Sequence, residues 1–597
     1  MATVSWHSLP AMFFEQAERF REKPFLWAKQ DGVYRPITWG ETAERVKQLA
    51  RGLQAMGLQK GDRLVLVSEN RPEWLIADLA VMSAGAITVP AFTTNTVADH
   101  LHILTHSGAK AAIVSTRHIA RRLLPAALEA PDLQLMIAIE DLDVAQRRFF
   151  STVSWAELEE RGRQENGAID DLVAGLKRDE VSCFIYTSGT GGTPKGVMLT
   201  HGSIMANCEG AYDLLESFGL GEERFLSFLP LSHSYEHTAG QFLPIAIGAE
   251  IYYAESVEAL ASNMREVKPT IMTAVPRLYE TMHQRILRDV RKLTGMRKWL
   301  FHKAVELGRK QYEQADSLTL WERLLNWLCE VSVRKQVRAR FGGQLKAMVS
   351  GGAALNYEVG VFFLALGVRL LQGYGQTEAS PVVSANPPAR IKLKTVGPAL
   401  KGVEVRIAED GEILVRGECV MNGYWCDPEA TARTIVDGWL HTGDIGFIDE
   451  DGYIQITDRK KDIIVLSGGD NVSPARVEGF LTLQSEIAQA MVHGDKRPNL
   501  VALIVPDADF LSGWAKDHGK PKDLNELADD PELHKTLSGV VDRVNRGLSN
   551  LEKVRRFIIA REPFTIDNGM LTSSLKIRRH KIKERYGPDL DALYERG

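Results

Sequence analysis

The stretch from Tyr186 to Gly196 reads Tyr-Thr-Ser-Gly-Thr-Gly-Gly-Thr-Pro-Lys-Gly and directly follows the apolar run Val181-Ser-Cys-Phe-Ile185. Glycines and hydroxyl side chains after a buried strand predict a turn whose amide N–H groups face outward beside an ammonium group. Such a turn can cradle a polyphosphate. Pro194 and Gly196 flank Lys195, so this is not the P-loop of NTPases, and the glycine spacing does not match a dinucleotide-binding turn. A flexible surface loop is the alternative for this stretch taken alone.

The stretch closely resembles the phosphate-binding loop of the adenylate-forming superfamily, which comprises acyl-CoA synthetases, luciferases and the adenylation domains of peptide synthetases. The usual pattern there is Thr-Ser-Gly-Thr-Thr-Gly-x-Pro-Lys-Gly, and this chain departs from it at Gly191. We therefore assign no contact to position 191. The resemblance implies that ATP phosphates contact Thr187, Ser188, Gly189, Thr190, Thr193 and Lys195, and that Thr187 also faces a Mg²⁺ ion.

Length and composition set the broad class. A chain of 597 residues with 44% apolar and 25% charged residues is expected to form at least two soluble domains. The net charge of −5 makes nucleic acid an unexpected partner. The five cysteines, which show no Cys-x-x-Cys spacing, are expected to be reduced core thiols in a cytoplasmic protein. The first 20 residues show no secretory signal, and the apolar run 242–253 is too short to span a bilayer.

Apolar periodicity predicts layered α/β structure in the first part of the chain. Thr38-Trp-Gly-Glu41 resembles a capping box and precedes an amphipathic helix that ends near Gly57. Short apolar runs at 64–67, 86–89, 111–114 and 135–138 alternate with helix-length segments, which favours parallel strands. Turn signals at Asp410-Gly411 and Asp451-Gly452 predict hairpins of a small β subdomain.

Residues 285–340 form a long helical stretch that is rich in Arg, Lys, Trp and Leu, including Arg297-Lys-Trp-Leu-Phe-His-Lys303. A basic amphipathic helix with aromatic residues can lie on an anionic membrane surface, at the inner face of the membrane for a cytoplasmic protein. The alternative is the solvated face of a helix that packs on the core. A helical insertion at this place resembles the long-chain acyl-CoA synthetase branch.

The charge cluster Asp458-Arg-Lys-Lys-Asp462 resembles the superfamily's hinge. We therefore predict an N-terminal AMP- and acyl-binding domain over 1–457 and a mobile C-terminal domain over 458–597. The expected fold class is α/β: a large domain of layered α/β subdomains plus a small β subdomain, hinged to a small C-terminal α/β domain. Lys461 occupies the hinge position and is included among the nucleotide-site residues.

Further motifs resemble those that bind adenylate. Gln372-Gly-Tyr-Gly-Gln-Thr-Glu378 resembles Tyr-Gly-x-Thr-Glu, which implies that Tyr374 stacks on adenine, Thr377 contacts the α-phosphate region and Glu378 holds Mg²⁺. By the same resemblance Asp444 and Arg459 reach the ribose. The implied nucleotide contacts also include Gly351, Gly352, Ala353, Gln372, Gly373, Gly375 and Gln376.

Two residues are assigned to the reacting groups by resemblance. His233, in Leu229-Pro-Leu-Ser-His-Ser-Tyr-Glu-His237, is placed near the acyl carboxylate for binding or gating, with a structural role as the alternative. A fatty acid is already ionised near neutral pH, so His233 is not expected to act as a general base. Lys576 follows Leu575, where luciferases and peptide synthetases usually have glycine, and is the expected catalytic cation.

The resemblance covers nearly the whole chain and implies an AMP-forming acyl-CoA synthetase that acts on a long-chain fatty acid, ATP, Mg²⁺ and coenzyme A. One alternative is a ligase that loads a carrier protein. Another is an inactive nucleotide- or lipid-binding protein that keeps the fold. Chain-length preference, oligomeric state and pathway cannot be predicted from the sequence.

Overall fold

A computed structural model describes residues 6–142, 150–187, 193–314, 317–572 and 575–595. The helices are α1 (Leu9–Phe20), α2 (Trp39–Ala55), α3 (Pro72–Ser83), α4 (Val97–Ser107), α5 (Arg117–Glu129), α6 (Trp155–Gln164), α7 (Ile169–Ala174), α8 (His201–Glu216), α9 (Leu243–Ile247), α10 (Leu260–Val267), α11 (Pro276–Arg291), α12 (Gly295–Glu313), α13 (Leu320–Cys329), α14 (Lys335–Arg340), α15 (Tyr357–Ala365), α16 (Pro428–Thr434), α17 (Pro474–Thr482), α18 (Ala508–His518), α19 (Leu524–Leu527), α20 (Pro531–Asn545) and α21 (Arg579–Glu595). Glu236–Phe242 and Glu330–Arg334 form π-helices, and Thr377–Ala379 forms a 3₁₀ turn.

The strands of the first half are β1 (Pro24–Gln30), β2 (Val33–Thr38), β3 (Arg63–Val67), β4 (Ile87–Pro90), β5 (Ala111–Val114), β6 (Leu135–Ala138), β7 (Ser151–Ser154), β8 (Val181–Thr187), β9 (Lys195–Thr200), β10 (Arg224–Ser227), β11 (Glu250–Tyr253) and β12 (Ile271–Ala274). Those of the second half are β13 (Ala347–Ser350), β14 (Leu370–Gly375), β15 (Val382–Ala385), β16 (Glu404–Ile407), β17 (Glu412–Arg416), β18 (Ile435–Val436), β19 (Trp439–Ile448), β20 (Ile454–Arg459), β21 (Ile464–Val465), β22 (Asn471–Val472), β23 (Ile487–His493), β24 (Leu500–Pro506) and β25 (Val554–Ile559).

Two large sheets form the N-terminal part of the described chain. One has the order β15-β14-β13-β12-β10-β11-β1-β2 and the other the order β7-β6-β5-β3-β4-β8-β9. The four apolar runs predicted as strands are β3 to β6, and they pair in parallel. Buried residues of α2, α3, α8 and both sheets share one hydrophobic core, so the two sheets are held as layers of a single body.

The predicted helix start at Thr38 is confirmed. The Thr38 hydroxyl accepts a hydrogen bond from the backbone N–H of Glu41, whose side chain accepts one from the backbone N–H of Thr38. This reciprocal cap satisfies two N–H groups that lack partners within the helix. α2 buries Val46, Leu49 and Leu53 at helical spacing.

A small β subdomain and a C-terminal α/β domain follow. β16 and β17 form one antiparallel hairpin and β19 and β20 another, with Gly411 and Gly452 at positive φ in the predicted turns. β23, β24 and β25 form a sheet that packs with α17, α18 and α20 around a separate core. β20 continues to Arg459, so the boundary predicted between residues 457 and 458 lies within a strand of the small β subdomain.

Two sequence expectations concern membrane spans and cysteines. Within the described residues, every helix is too short or too polar to cross a bilayer. All five cysteines are free, as expected, and four of them are buried. Cys426 is the exception to the prediction of core thiols, because it is exposed on a turn with φ of 52°.

Candidate active site

The flanks of the phosphate loop are held by an antiparallel strand pair. β8 ends at Thr187 and β9 begins at Lys195, and these two residues face each other in the pair. The predicted contacts Ser188, Gly189 and Thr190, together with Gly191, lie outside the described residues. Thr193 is exposed, and Thr187 lines a cavity at the end of the strands.

Lys195 is held by a segment that the sequence motifs did not identify. Its Nζ lies 2.9 Å from Oδ2 of Asp427 and 4.9 Å from the centre of the Tyr424 ring. The backbone of this segment pairs with β9, since the N–H of Trp425 donates to the carbonyl of Gly196. The N–H of Ala430 and then the ammonium of Lys195 lower the pKa of Asp427. The loop lysine therefore has an ionised partner near the phosphate loop.

Tyr374, Asp444 and Arg459 form one hydrogen-bonded group. The Tyr374 hydroxyl donates to Oδ2 of Asp444 at 2.7 Å, and Nε of Arg459 donates to Oδ1 at 3.1 Å. Burial, followed by the nearby charge of Asp444, raises the pKa of Tyr374. Each carboxylate oxygen has capacity for a further hydrogen bond, so Asp444 can still accept from ribose hydroxyls.

The glycines around β13 and β14 allow close packing. A Cβ on Gly375 would lie 1.7 Å from the carbonyl oxygen of Pro381, and one on Gly351 would lie 3.0 Å from Cζ of Tyr235. Gly352 has φ of 82°. The remaining predicted nucleotide contacts lie on the same two strands or directly after them: Ala353, Gln372, Gly373 and Gln376.

Thr377 and Glu378 begin the 3₁₀ turn after β14. Oγ1 of Thr377 lies 3.0 Å from Oγ of Ser234, and Oε1 of Glu378 accepts a hydrogen bond of 2.9 Å from the Tyr424 hydroxyl. Tyr424 therefore contacts both Lys195 and Glu378. This tyrosine joins two charged groups, one on β9 and the other on the 3₁₀ turn after β14.

His233 is neutral and has a defined tautomer. Burial, and then the positive charge of Lys576, lowers the pKa of His233 to about 4. Nδ1 accepts a hydrogen bond from the backbone N–H of Tyr235 at 3.2 Å. The proton of the neutral ring is therefore on Nε2, which makes this nitrogen a donor.

Lys576 comes from the C-terminal domain into the same cleft. It lines a cavity of about 110 Å³ together with Thr187, His233 and Thr377. Burial, and then the charge of Arg459, lowers the pKa of Lys576, while Glu378 and Asp444 act in the opposite direction. The side chain keeps accessible surface because it faces this open cavity. The C-terminal domain thus places a cation beside the residues assigned to nucleotide and acyl group.

The turn before Lys576 is closed by local hydrogen bonds. The N–H of Leu575 donates to the carbonyl of Thr572, and the N–H of Lys576 donates to the Thr572 hydroxyl. Leu575 has φ of 61°, a conformation that favours glycine. A glycine would adopt this φ without steric cost.

Lys461 is the predicted site residue that the structure leaves apart from this group. It is exposed in the turn after β20 and does not line the cavity that contains Lys576. Its neighbour Lys460 instead pairs with Asp410 and Glu412 of the β subdomain. A role of Lys461 in nucleotide binding stays a prediction.

Comparison with known proteins matches residues 13–425 to the AMP-binding enzyme family and residues 461–597 to the AMP-binding enzyme C-terminal domain. The chain belongs to the AMP-binding enzyme family. A long-chain-fatty-acid–CoA ligase, FadD15, from Mycobacterium bovis is 33% identical over 100% of this chain and 98% of its own length. The peroxisomal long chain acyl-CoA synthetase 6 of Arabidopsis thaliana is 31% identical over 94% of this chain and 82% of its own.

Solved structures agree with this fold. The A-PCP didomain of a carboxylic acid reductase from Segniliparus rugosus, in complex with AMP, has a TM-score of 0.75 at 22% identity and covers 99% of this chain and 83% of that one. At this identity the likeness shows the fold alone. The predicted adenylate-forming architecture, a large α/β domain with a smaller C-terminal domain, is confirmed.

The residues present fit the magnesium ion implied for an AMP-binding enzyme. No cluster of three or more His, Cys, Asp or Glu side chains that could hold a metal occurs among the described residues. Asp427 is paired with Lys195, whereas Glu378 accepts a hydrogen bond from Tyr424. Mg²⁺ characteristically binds through one or two carboxylates plus phosphate oxygens and water, which one glutamate can support. Glu378 and Thr187, the two residues assigned to the metal, would hold the ion, which would neutralise phosphate charge.

We expect Tyr424→Phe to lower adenylation about tenfold, because a hydrogen bond to a charged group contributes roughly 1.5 kcal/mol. If the hydroxyl orients Glu378 toward the metal, the variant should also need more Mg²⁺ for half-maximal rate, and high Mg²⁺ should restore much of the activity. Pyrophosphate exchange over a Mg²⁺ series measures both effects.

Tyr453→Phe is the matched control, because its hydroxyl donates to the Arg390 carbonyl at 2.9 Å, away from Glu378. If both variants showed an equal change in Mg²⁺ dependence, Tyr424 would have no specific role in positioning Glu378.

Proposed function

We propose that this chain is an ATP-dependent long-chain fatty acid–CoA ligase. It converts a long-chain fatty acid and ATP to acyl-adenylate and pyrophosphate, after which the thiol of coenzyme A displaces AMP. One observation carries the proposal: Lys576 lines the same cavity as Thr187, Thr377 and His233, and the charges of Glu378, Asp444 and Arg459 act on it. Full-length similarity to two ligases of long-chain acids supports the substrate class.

The chemistry requires an anion to attack an anion. In the first half-reaction a carboxylate oxygen forms a bond to the α-phosphorus of ATP, and the bond from that phosphorus to pyrophosphate breaks. Positive groups must screen the repulsion and stabilise the charge of the transferring phosphoryl group. Lys576 and Lys195 supply the protein's cations, and Mg²⁺ adds charge neutralisation when bound. Tyr374, Asp444 and Arg459 form the group that would hold adenosine.

The deciding experiment is a fatty-acid panel scored by acid-dependent AMP release in the presence of coenzyme A. We expect saturated and unsaturated long-chain acids to be the preferred substrates, with acyl-CoA as the product. Acylation of a carrier protein without soluble acyl-CoA would favour the carrier-loading alternative. Failure of every acid to support pyrophosphate exchange would favour the inactive homologue.

His233 offers a test of the acyl end of the site. We expect His233→Leu to raise the KM for fatty acid about tenfold, because it loses the Nε2 donor to the carboxylate. His233→Gln keeps an amide donor, so its KM for fatty acid should be closer to that of the native enzyme. Because the pKa of His233 is about 4, its protonation should not affect activity between pH 6 and 8.

Steady-state kinetics over this pH range measure both expectations. Equal KM values for His233→Leu and the native enzyme would leave the histidine with the structural role. A pH dependence that disappears in His233→Gln would contradict the neutral tautomer.

A further inference from the structure

A group of large apolar side chains is exposed on the hairpin formed by α12 and α13. Trp321 is 74% exposed, Trp327 59% and Trp299 46%, and Leu320 is 84% exposed. Soluble proteins rarely expose contiguous apolar surface of this kind without a partner. We call the group the tryptophan patch and define it by six residues: Trp299, Leu320, Trp321, Leu324, Trp327 and Leu328.

The patch residues of α13 share one side of that helix. Leu320, Leu324, Trp327 and Leu328 recur at intervals of four, seven and eight residues, which places them along one stripe. Cys329 is the buried residue of α13. The Cys329 thiol lies 3.8 Å from the carbonyl of Leu300, so the end of α13 adjoins the first turns of α12, where Trp299 lies.

The hairpin is fixed rigidly to the enzyme. A Cβ on Gly308 of α12 would lie 2.5 Å from Cα of Ala365 on α15, so the two helices pack in close contact. Buried Arg334 donates to the carbonyls of Ala304 and Ala365 and to the side chain of Asn326, which joins α12, α13 and α15. The tryptophan patch is therefore presented on a stable platform.

The region around the patch is strongly basic. Residues 285–340 contain fourteen lysines and arginines and six acidic residues, although the whole chain has a net charge of −5. Two described acidic residues near the patch are paired within the protein, Glu322 with Lys310 and Glu330 with Arg338. Among the described residues, Arg297, Lys298 and Arg323 have no acidic partner and adjoin patch residues in sequence.

Membrane contact by the helical stretch 285–340 stays a prediction, and the structure shows which part of the stretch is exposed. Phe301 is buried beside Phe362, and Lys303 pairs with Glu306. α12 is thus a core-packed helix, as the alternative expected, and only its first turns contribute to the exposed surface. The tryptophan patch is formed mainly by α13, which contains few basic residues.

We propose that the tryptophan patch docks this enzyme on an anionic lipid bilayer. Exposed tryptophan and leucine suit the boundary between headgroups and acyl chains, and neighbouring unpaired cations suit anionic headgroups. A second copy of the chain fits less well, because two copies meeting through this surface would bring like charges together. The proposal concerns where the enzyme is held and does not depend on the substrate proposed above.

Sedimentation of the full chain with sucrose-loaded vesicles tests the proposal. We expect binding to vesicles of 30% phosphatidylglycerol in phosphatidylcholine, at least about tenfold weaker binding to phosphatidylcholine alone, and weakening by salt. Trp321→Ala with Trp327→Ala, and separately Arg297→Glu with Lys298→Glu, should each lower the partition coefficient about tenfold or more.

The control variants change exposed residues of the same two kinds, apolar and basic, elsewhere on the surface. Val257→Ala with Leu551→Ala removes exposed apolar groups, and Lys522→Glu with Lys535→Glu reverses the same number of charges. Both controls should bind within about twofold of the native chain, and thermal melting should show that all variants fold. Absence of vesicle binding at low salt, or equal losses in the controls, would overturn the proposal. The proposal would also be overturned if the native chain formed a dimer, and the tryptophan variant were monomeric but bound vesicles as the native chain does.

Discussion

Lys576→Ala should lower acyl-adenylate formation by roughly 10²–10³-fold or more, the size of effect seen when one preorganised group that stabilises transition-state charge is removed. The reason is positional, since Lys576 of the C-terminal domain lines the cavity with Thr377 and His233, next to Arg578 of the same domain. The same variant should convert supplied acyl-adenylate and coenzyme A to thioester at close to the native rate. Rapid-quench assays of each half-reaction measure the two steps separately.

This selectivity follows if the C-terminal domain rotates between half-reactions. The described arrangement has Lys576 in the cleft, which suits adenylation and leaves little room for a bulky thiol at that position. Lys461→Pro should have the opposite selectivity, because it fixes φ in the turn after β20. The N–H of Lys461 donates no hydrogen bond to a described residue, so proline removes none in this arrangement.

Lys583→Ala is the control for charge in the same basic tail, since Lys583 is exposed on α21. It should leave both half-reactions unchanged. If Lys576→Ala slowed both half-reactions equally in a folded protein, Lys576 would not be specific to adenylation. The rotation proposed for this domain would then lose its main support.

Glu378→Ala is expected to depress adenylation by orders of magnitude while the fold stays intact. Glu378 is the carboxylate assigned to the metal, and it accepts a hydrogen bond from Tyr424. Its loss would remove the protein ligand that places Mg²⁺ on the phosphates, and metal-assisted neutralisation of phosphoryl charge contributes several kcal/mol to such reactions. Pyrophosphate exchange with Mg²⁺ varied, together with thermal melting, measures the effect.

Glu378→Gln separates two roles for this side chain. The amide oxygen can still accept the hydrogen bond from Tyr424, but the amide carries no negative charge for a metal. If Glu378 is a metal ligand, Glu378→Gln should therefore lower the rate of adenylation nearly as much as Glu378→Ala. Near-native adenylation in Glu378→Gln would show that Glu378 contributes to adenylation through its hydrogen bond with Tyr424 and not as a metal ligand.

Local sequence patterns determined much of this protein. The Thr38 cap, the four parallel strands β3 to β6 and the hairpins at Gly411 and Gly452 could all be predicted because they depend on neighbours within a few residues. The motif residues of the candidate site are also local in sequence, and their roles were assigned by resemblance. What these motifs do in an adenylate-forming enzyme is implied by their resemblance to that superfamily, because residue types and spacing alone also fit ordinary turns and loops.

Tertiary structure alone decided which of these residues meet. Tyr424 and Asp427 lie more than 200 residues from Lys195 in sequence, and they reach it only because their backbone pairs beside β9. The tautomer of His233 depends on a backbone N–H and on burial, which no motif specifies. Apolar periodicity could not predict which faces of α12 and α13 the core would cover, because burial depends on the partner surface as well as on the helix. Packing against α15 buried Phe301 of α12, whereas the tryptophans of α13 stayed exposed.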